Sequence, residues 1–214
     1  MKQQTPSKQS VPQEWGNIIS HGIGIPFAIV ALVLLLSEAP ERSTAYLWVV
    51  LVYALTMLWT YVTSTVYHSS YKAQAKWRHF WHLLDHTAIF LFIAGTYTPV
   101  AYYMLPPVWS TAVLTSVWVI AGGGVIMKIF TLGRFPKLSL ALYLLMGWLI
   151  VAAARPLWLT APPELVYWIA AGGASYSIGT VFFSLRKMPY SHTVWHLFVL
   201  GGTVCHFLGI YHYI

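Results

Sequence analysis

A stretch of 42 residues without a formal charge, from His86 to Met127, most constrains what this chain can fold into. It is about twice as long as one membrane-spanning helix, which needs about 20 predominantly apolar residues. Pro106 and Pro107 stand near its middle, and a proline breaks a helix because it lacks a backbone N–H and clashes with the preceding turn. The stretch therefore predicts two membrane helices joined by a short break.

Composition extends this prediction to the whole chain. Of its 214 residues, 58% are hydrophobic and 8% are charged, which leaves too little polar surface for a water-soluble globule. Windows free of charge predict seven spans, at about residues 18–36, 45–68, 79–103, 108–127, 138–154, 165–185 and 191–213. We therefore expect an all-α, seven-transmembrane helix bundle over residues 17–214. Residues 1–16 are polar and contain Pro6 and Pro12, so we expect a short disordered cytoplasmic tail.

The basic residues predict the orientation of this bundle. With the amino terminus inside, ten of the 12 lysines and arginines fall on the cytoplasmic side, and only Arg42 and Arg155 fall outside. By the positive-inside rule, the amino terminus is expected in the cytoplasm and the carboxyl terminus outside. The net charge of +7 is spread among loops, which indicates contact with anionic lipid rather than with nucleic acid. The ten inside residues are Lys2, Lys8, Lys72, Lys76, Arg78, Lys128, Arg134, Lys137, Arg186 and Lys187.

The last predicted helix opens with two histidines, His192 and His196. Residues at i and i+4 lie one turn apart on the same helix face, so both imidazoles can reach one metal ion. Ionisable groups are costly in a membrane helix, which makes this pair a hypothesis for a functional site. Alone, the pattern is also typical of ordinary polar contacts between helices, so its weight depends on polar residues elsewhere at the same depth.

Other helices supply such residues. Ser64 and His68 stand one turn apart in the second span, and Asp85 stands near the start of the third. At 1.5 Å of rise per residue, these side chains and the two histidines of the last helix lie within about 15 Å of the predicted cytoplasmic boundary. Three imidazoles with an open fourth position are the ligand set of a catalytic zinc, which brings the pKa of its bound water to about 7. Asp85 is then a candidate to accept a proton from that water, and Ser64 to bind the attacked carbonyl or orient Asp85.

Several polar residues keep more than one interpretation. His82 and His86 flank Asp85 on one arc of the third helix, either as competing ligands or as hydrogen-bond partners of the carboxylate. His206 and His212 lie too far along the last helix to reach the same metal, which favours packing or interfacial roles. A polar face near the first span predicts either a capped helix entry or groups that support the metal layer. That face consists of Glu14, Asn17 and His21.

These motifs closely resemble those of the hemolysin III family of bacterial membrane proteins. This family lies within the superfamily of progestin and adipoQ receptors and alkaline ceramidases. The resemblance covers the chain from Glu14 to Ile214. The residues that carry it are Glu14, Asn17 and His21; Ser64 and His68; Asp85 and His86; Gly95-Thr96-Tyr97-Thr98-Pro99; Gly147-Trp148; Gly172-Gly173 with Tyr176 and Gly179; and His192, His196 and His206.

The resemblance implies an intramembrane zinc held by His68, His192 and His196, with Asp85 holding or activating the zinc water and Ser64 beside it. Alkaline ceramidases of this superfamily hydrolyse a lipid amide. The leading hypothesis is therefore a zinc-dependent hydrolase of a membrane lipid amide or ester that contributes to membrane lipid homeostasis.

Two other functions stay open at this point. One is a non-catalytic regulator of membrane lipid state or energetics that uses zinc for structure or sensing, and the other is a channel or cytolysin. The family branch and the charge pattern together predict a multi-pass protein of the bacterial inner membrane, with a membrane lipid as substrate or ligand. Small-residue helix faces serve internal packing and dimerisation equally well, so the sequence gives no oligomeric state.

Overall fold

The computed structural model describes residues 9–185 and 187–214, and these residues form helices and short connections without a strand. Seven helical segments are long and apolar enough to cross a membrane. The predicted all-α bundle of seven spans is therefore confirmed, and the chain is a multi-pass membrane protein. Three of the charges used for the orientation, Lys2, Lys8 and Arg186, lie outside the described residues, and the orientation stays a prediction.

Five spans are single long helices whose centres are close to those expected from the sequence, and the first and fifth are interrupted. The helices are α1 (Val11–Gly22), α2 (Gly24–Glu38), α3 (Thr44–Ser69), α4 (Ala75–Met104), α5 (Pro107–Thr131), α6 (Pro136–Gly147), α7 (Ala154–Thr160), α8 (Pro163–Ser184) and α9 (Ser191–Tyr213). The first span joins α1 to α2, and the fifth joins α6 to α7 through a 3₁₀ segment at Leu149–Ala153. The seventh span, α9, has the bounds that the sequence predicts.

The first helix begins earlier than the sequence predicts. It starts at Val11, within the segment expected to be a disordered tail over residues 1–16; residues 1–8 lie outside the described part of the chain. The Ser10 backbone N–H donates to the Gln13 side chain at 2.8 Å, which satisfies a group at the helix start. Pro12 occupies the first turn, where a backbone N–H has no intrahelical acceptor. The expectation was wrong for residues 11–16 because a proline there starts a helix instead of preventing one.

The α1 helix has an unusual division between its two faces. Its buried residues are all polar, whereas Trp15 and Ile19 at its outer face are more than half exposed, at 53% and 58%. The inward face packs against α3 and α9. Because apolar side chains are favoured on a lipid-facing surface, this pattern places the polar face of α1 over the interior of the bundle. The four buried residues are Glu14, Asn17, Ser20 and His21.

Glycine fixes the contact between α4 and α5. A Cβ atom added at Gly124 would meet the Phe90 ring, whereas one added at Gly122 or Gly123 would meet nothing within 4 Å. Gly124 is also the buried member of this run of three glycines. The two helices therefore approach each other most closely where Gly124 faces Phe90.

We expect Gly124→Ala to destabilise the protein by about 1–3 kcal/mol, since the added methyl group must displace a packed ring. The matched change Gly123→Ala should be neutral or stabilising by up to about 1 kcal/mol, because alanine is the better helix former and has open space there. Thermal unfolding of both variants in the same detergent measures the difference. Equal melting temperatures for the two variants would contradict the packing of α5 on α4 described above.

Candidate metal centre

Three histidines from two helices meet inside the bundle. His68 lies at the end of α3, and His192 and His196 lie in the first two turns of α9. One ring nitrogen of each can be chosen so that all three lie within 4.8 Å of one another. The ring centroids of His192 and His196 are 4.5 Å apart, and that of His68 lies 5.1 Å and 5.2 Å from them. The structure thus brings together the three histidines that the sequence suggested as ligands, at a spacing that suits one metal ion.

The donor atoms of this group also fit a metal ion chemically. The Nε2 atoms of His68 and His196 are buried and have no hydrogen-bond partner among the described residues. A buried polar atom left without a partner costs about 1–3 kcal/mol. In each ring the other nitrogen, Nδ1, contacts an oxygen, which leaves Nε2 with the lone pair that a metal would bind. A cation between the three rings would satisfy these atoms.

Glu14 orients the first of these rings. Its Oε2 lies 2.7 Å from His68 Nδ1, while its Oε1 accepts a hydrogen bond of 2.7 Å from Arg78 Nη2. A carboxylate on the remote nitrogen of a ligating histidine fixes the tautomer and makes the ligand more basic. The structure therefore favours the second interpretation of the polar face of α1, in which Glu14 supports the metal layer as well as occupying the first helical turn.

Ser20 performs the same role for the second ring, and sequence reasoning missed it. Its Oγ lies 3.0 Å from His196 Nδ1 and itself donates to the Asn17 carbonyl at 3.1 Å. Since the hydroxyl proton is used in that bond, the oxygen accepts from the imidazole N–H. Ser20 lies three residues after Asn17 on the buried face of α1, which is the one sequence signal that points to it. Serine is so common in membrane helices that this signal does not distinguish it.

Asn17 and His21 complete the contact between α1 and the site. The Asn17 Oδ1 accepts from Thr193 Oγ1 at 2.7 Å, and its Nδ2 lies 3.4 Å from His68 Nδ1. The His21 ring stacks on His196 with centroids 3.4 Å apart and planes 14° apart. These contacts hold α1 against both helices that carry the three histidines.

Ser64 lies beside the site but has a different partner from the one suggested by the sequence. Its Oγ is 2.7 Å from His21 Nδ1, and it makes no hydrogen bond to Asp85 within the described part of the chain. Ser64 is one turn before His68 on α3 and is buried. The serine hydroxyl is therefore held at the edge of the histidine group by a residue of α1.

Asp85 is buried on α4 in a neighbouring cluster. Its Oδ2 lies 3.2 Å from His86 Nδ1, although the N–H is not aligned for a hydrogen bond, and the His82 and His86 rings are 4.2 Å apart. Neither of these two histidines belongs to the group of three ligand nitrogens. In the structure, His82 and His86 accompany the carboxylate of Asp85 instead of competing for the metal position.

We expect Glu14→Gln to weaken metal binding by about 10–100-fold, the usual effect of removing the partner of a ligating histidine. Glutamine keeps the size of the side chain but loses the charge that attracts both His68 Nδ1–H and Arg78. Competition against a chelator of known affinity in detergent measures the change, with Glu41→Gln as a control because Glu41 is exposed in the Ala39–Glu41 turn. Unchanged affinity in Glu14→Gln would show that the carboxylate does not support the site.

Comparison with known proteins agrees with this architecture. The model of the family described as Haemolysin-III related matches residues 9–207. Hemolysin-3 of Bacillus cereus is 40% identical over 207 residues, which cover 96% of this chain and 94% of that protein. The Hemolysin-3 homolog of Bacillus subtilis (strain 168) is 38% identical over 210 residues, covering 95% of each chain. The human Monocyte to macrophage differentiation factor is 28% identical over 209 residues, covering 92% of this chain and 83% of that protein. This chain therefore belongs to the Haemolysin-III related family.

Proposed function

We propose that this protein is a zinc-dependent hydrolase that acts on an amide or ester of a membrane lipid from within the predicted cytoplasmic leaflet. The observation that carries the proposal is the meeting of three histidine nitrogens within 4.8 Å in the interior of a membrane bundle. Three imidazoles with an open fourth position form the ligand set of hydrolytic zinc enzymes. When bound, zinc supplies Lewis acidity and lowers the pKa of its bound water to about 7.

Five polar residues would hold the metal and orient its ligands. His68, His192 and His196 hold the metal, and Glu14 and Ser20 fix the tautomers of two of these rings. These contacts support a site whose ligands are already oriented before the substrate binds.

Asp85 and Ser64 would serve the reaction itself. Asp85 accepts a proton from the attacking water as the new C–O bond forms at the acyl carbon. It returns that proton to the nitrogen or oxygen that leaves when the original acyl bond breaks. The products are a carboxylic acid and an amine or alcohol, so atoms and charge balance without an added reactant. The Ser64 hydroxyl, held beside His21, donates to the carbonyl oxygen of the substrate.

The depth of the site supports a lipid substrate. His192 and His196 stand in the first two turns of α9 and His68 in the last turn of α3, so the group lies near one end of both helices. This is the depth at which the polar headgroups of a bilayer meet its hydrocarbon core. The two Bacillus relatives and the charge pattern together support a place in the bacterial plasma membrane, which is the inner membrane where an outer one exists.

A second function is favoured because the histidines and their partners are distributed over three spans. The histidine group and its partners join the first, second and seventh spans, and the polar face of α1 covers the group. A metal that ties three spans together would also suit a non-catalytic regulator of membrane lipid state or energetics. The name of Hemolysin-3 of Bacillus cereus suggests lysis by that protein, but a polar layer buried inside a helix bundle does not favour a pore.

A turnover measurement separates the two candidates. Protein loaded with zinc is incubated with ceramides, other N-acyl lipids and glycerolipids in mixed micelles, and fatty acid release is followed by mass spectrometry. The hydrolase predicts release that stops on chelation and returns when zinc is restored. Protein that holds one zinc per chain but releases no fatty acid from any of these lipids would favour the regulator.

A further inference from the structure

Lys128 is a buried cation in a membrane helix. Its side chain is only 3% exposed, although the sequence suggests a topology-determining charge at the end of the fourth span. It continues the buried stripe of α5, which faces α4 and is otherwise made of small or apolar residues. Burying an ammonium group without an anion nearby is costly, so its position calls for a partner. The stripe consists of Val113, Val117, Ala121, Gly124 and Lys128.

The packing of α5 on α4 shows which residues lie at the level of Lys128. Gly124 faces Phe90, and the two helices run antiparallel because they are joined by the short connection after Met104. One turn further along α5 is Lys128, and one turn back along α4 is His86. The Cα–Cβ bonds of a helix tilt toward its amino terminus, which for α5 is toward the membrane interior. Lys128 therefore lies at the layer of Asp85 and His86.

A third helix closes this layer. The Tyr143 hydroxyl of α6 donates to the His86 carbonyl at 2.8 Å, and its ring lies 4.5 Å from that of Phe90. Helices α4, α5 and α6 thus converge around Lys128. His86 and His82 lie one and two turns before Phe90 on the same face of α4, and the His82 ring also stacks on Tyr67 of α3 with centroids 4.9 Å apart.

Lys128 has no close anionic partner within the described residues. No carboxylate among them lies within 4.0 Å of the Lys128 amine. Asp85 attracts Lys128 only over a longer distance, and its Oδ2 is already 3.2 Å from His86 Nδ1. The buried Lys128 ammonium therefore lacks a direct ion-pair partner, and the neutral imidazoles of His82 and His86 can each offer an N–H to an external anion.

We propose that Lys128, together with His82 and His86, binds the phosphate of an anionic membrane phospholipid. Basic pockets between membrane helices on the cytoplasmic side are typical sites for anionic headgroups. Lys128 is three residues from the end of α5 at Thr131, which places it at headgroup depth on the predicted cytoplasmic side. The phosphate would neutralise the lysine and hold a lipid next to Asp85. This binding does not depend on turnover, so the lipid-binding proposal can be tested independently of the proposed hydrolase.

Native mass spectrometry of delipidated protein tests this proposal. The protein is mixed with equal amounts of phosphatidylglycerol and phosphatidylcholine that carry the same acyl chains, and the retained ratio is measured. We expect the wild type to prefer phosphatidylglycerol about tenfold and Lys128→Gln to lose that preference, because glutamine removes the charge at similar length. Lys128→Arg should keep the preference. The control Lys137→Gln, which removes an exposed charge at the start of α6, should behave as the wild type.

The outcomes separate the proposal from its competitors. If Lys128→Gln melts at the wild-type temperature and still prefers phosphatidylglycerol, the site is overturned and Lys128 serves only to balance Asp85. If Lys128→Gln fails to fold, the comparison moves to Lys128→Arg and His82→Gln, and an unchanged preference in His82→Gln overturns the proposal. Titration with inorganic phosphate identifies the source of the anion. If millimolar phosphate displaces the lipid, the site also binds the free ion. If the lipid stays bound at that concentration, the site is specific for the lipid.

Discussion

Purified wild-type protein should contain about one zinc ion per chain, and the His192→Ala/His196→Ala double variant should contain essentially none. The double variant removes two of the three ligands, and one imidazole cannot retain zinc against water during purification. Elemental mass spectrometry of protein purified in detergent without chelators measures the content. The loss should be nearly complete because the remaining nitrogen, His68 Nε2, is the only member of the group left.

A control on the same helix makes this result specific. His212 lies near the other end of α9 and is exposed, so His212→Ala removes a histidine without touching the group. It should keep the zinc content of the wild type. Zinc retained in the double variant would mean that other residues hold the metal, with His21 the first candidate because its Nε2 is also buried and unpartnered among the described residues. Wild-type protein without any metal would leave the histidines as a polar network between helices.

Asp85→Asn should lower turnover by about 10²–10⁴-fold while the zinc content stays at the wild-type level. Asparagine has nearly the same shape as aspartate but cannot accept the proton of the attacking water. Because Asp85 does not belong to the group of three ligand nitrogens, the metal should remain bound. Fatty acid release and zinc content are measured on the same preparation, so that a lost activity is not confused with a lost metal.

Glu164→Gln provides the matched control for this change, since Glu164 is an exposed carboxylate at the start of α8. Its turnover should equal that of the wild type. Full activity in Asp85→Asn would place the general base elsewhere and remove Asp85 from the reaction. Loss of zinc from Asp85→Asn would instead show that the carboxylate supports the metal, and the turnover of that variant would then not distinguish the hydrolase from the regulator.

The sequence was sufficient for the spans because the signals are strong and local. Charge-free windows and the break at Pro106-Pro107 locate α3, α4, α5 and α9 without any tertiary information. The start of α1 was not predictable in the same way. This helix turns its polar residues toward the interior of the bundle. In the sequence alone, a polar segment that contains a proline cannot be distinguished from a solvated tail.

The depth of the candidate site in the bundle could be predicted from the sequence, but the contacts between its side chains could not. Counting residues from the helix ends places His68, His192 and His196 in one layer, and the structure brings these three together. Spacing alone could not distinguish these three histidines from His82 and His86, because the difference lies in which neighbouring helix each ring faces. The roles of Glu14 and Ser20 depend on which ring nitrogen each contacts, and that is fixed only by the packing of α1 on α3 and α9.

The division of the three histidines between α3 and α9 also bears on how the protein is made. His68 enters the membrane with the second span, and four further spans are synthesised before His192 and His196 follow in the seventh. The group of three histidines therefore cannot be complete until the last of these spans has been inserted. Until then Ser20 and the Nε2 atom of His68 lie in or near the membrane without their final partners, which is an unfavourable state for polar groups. Capture of the metal would then be the closing event of biogenesis, joining the earliest part of the bundle to the latest.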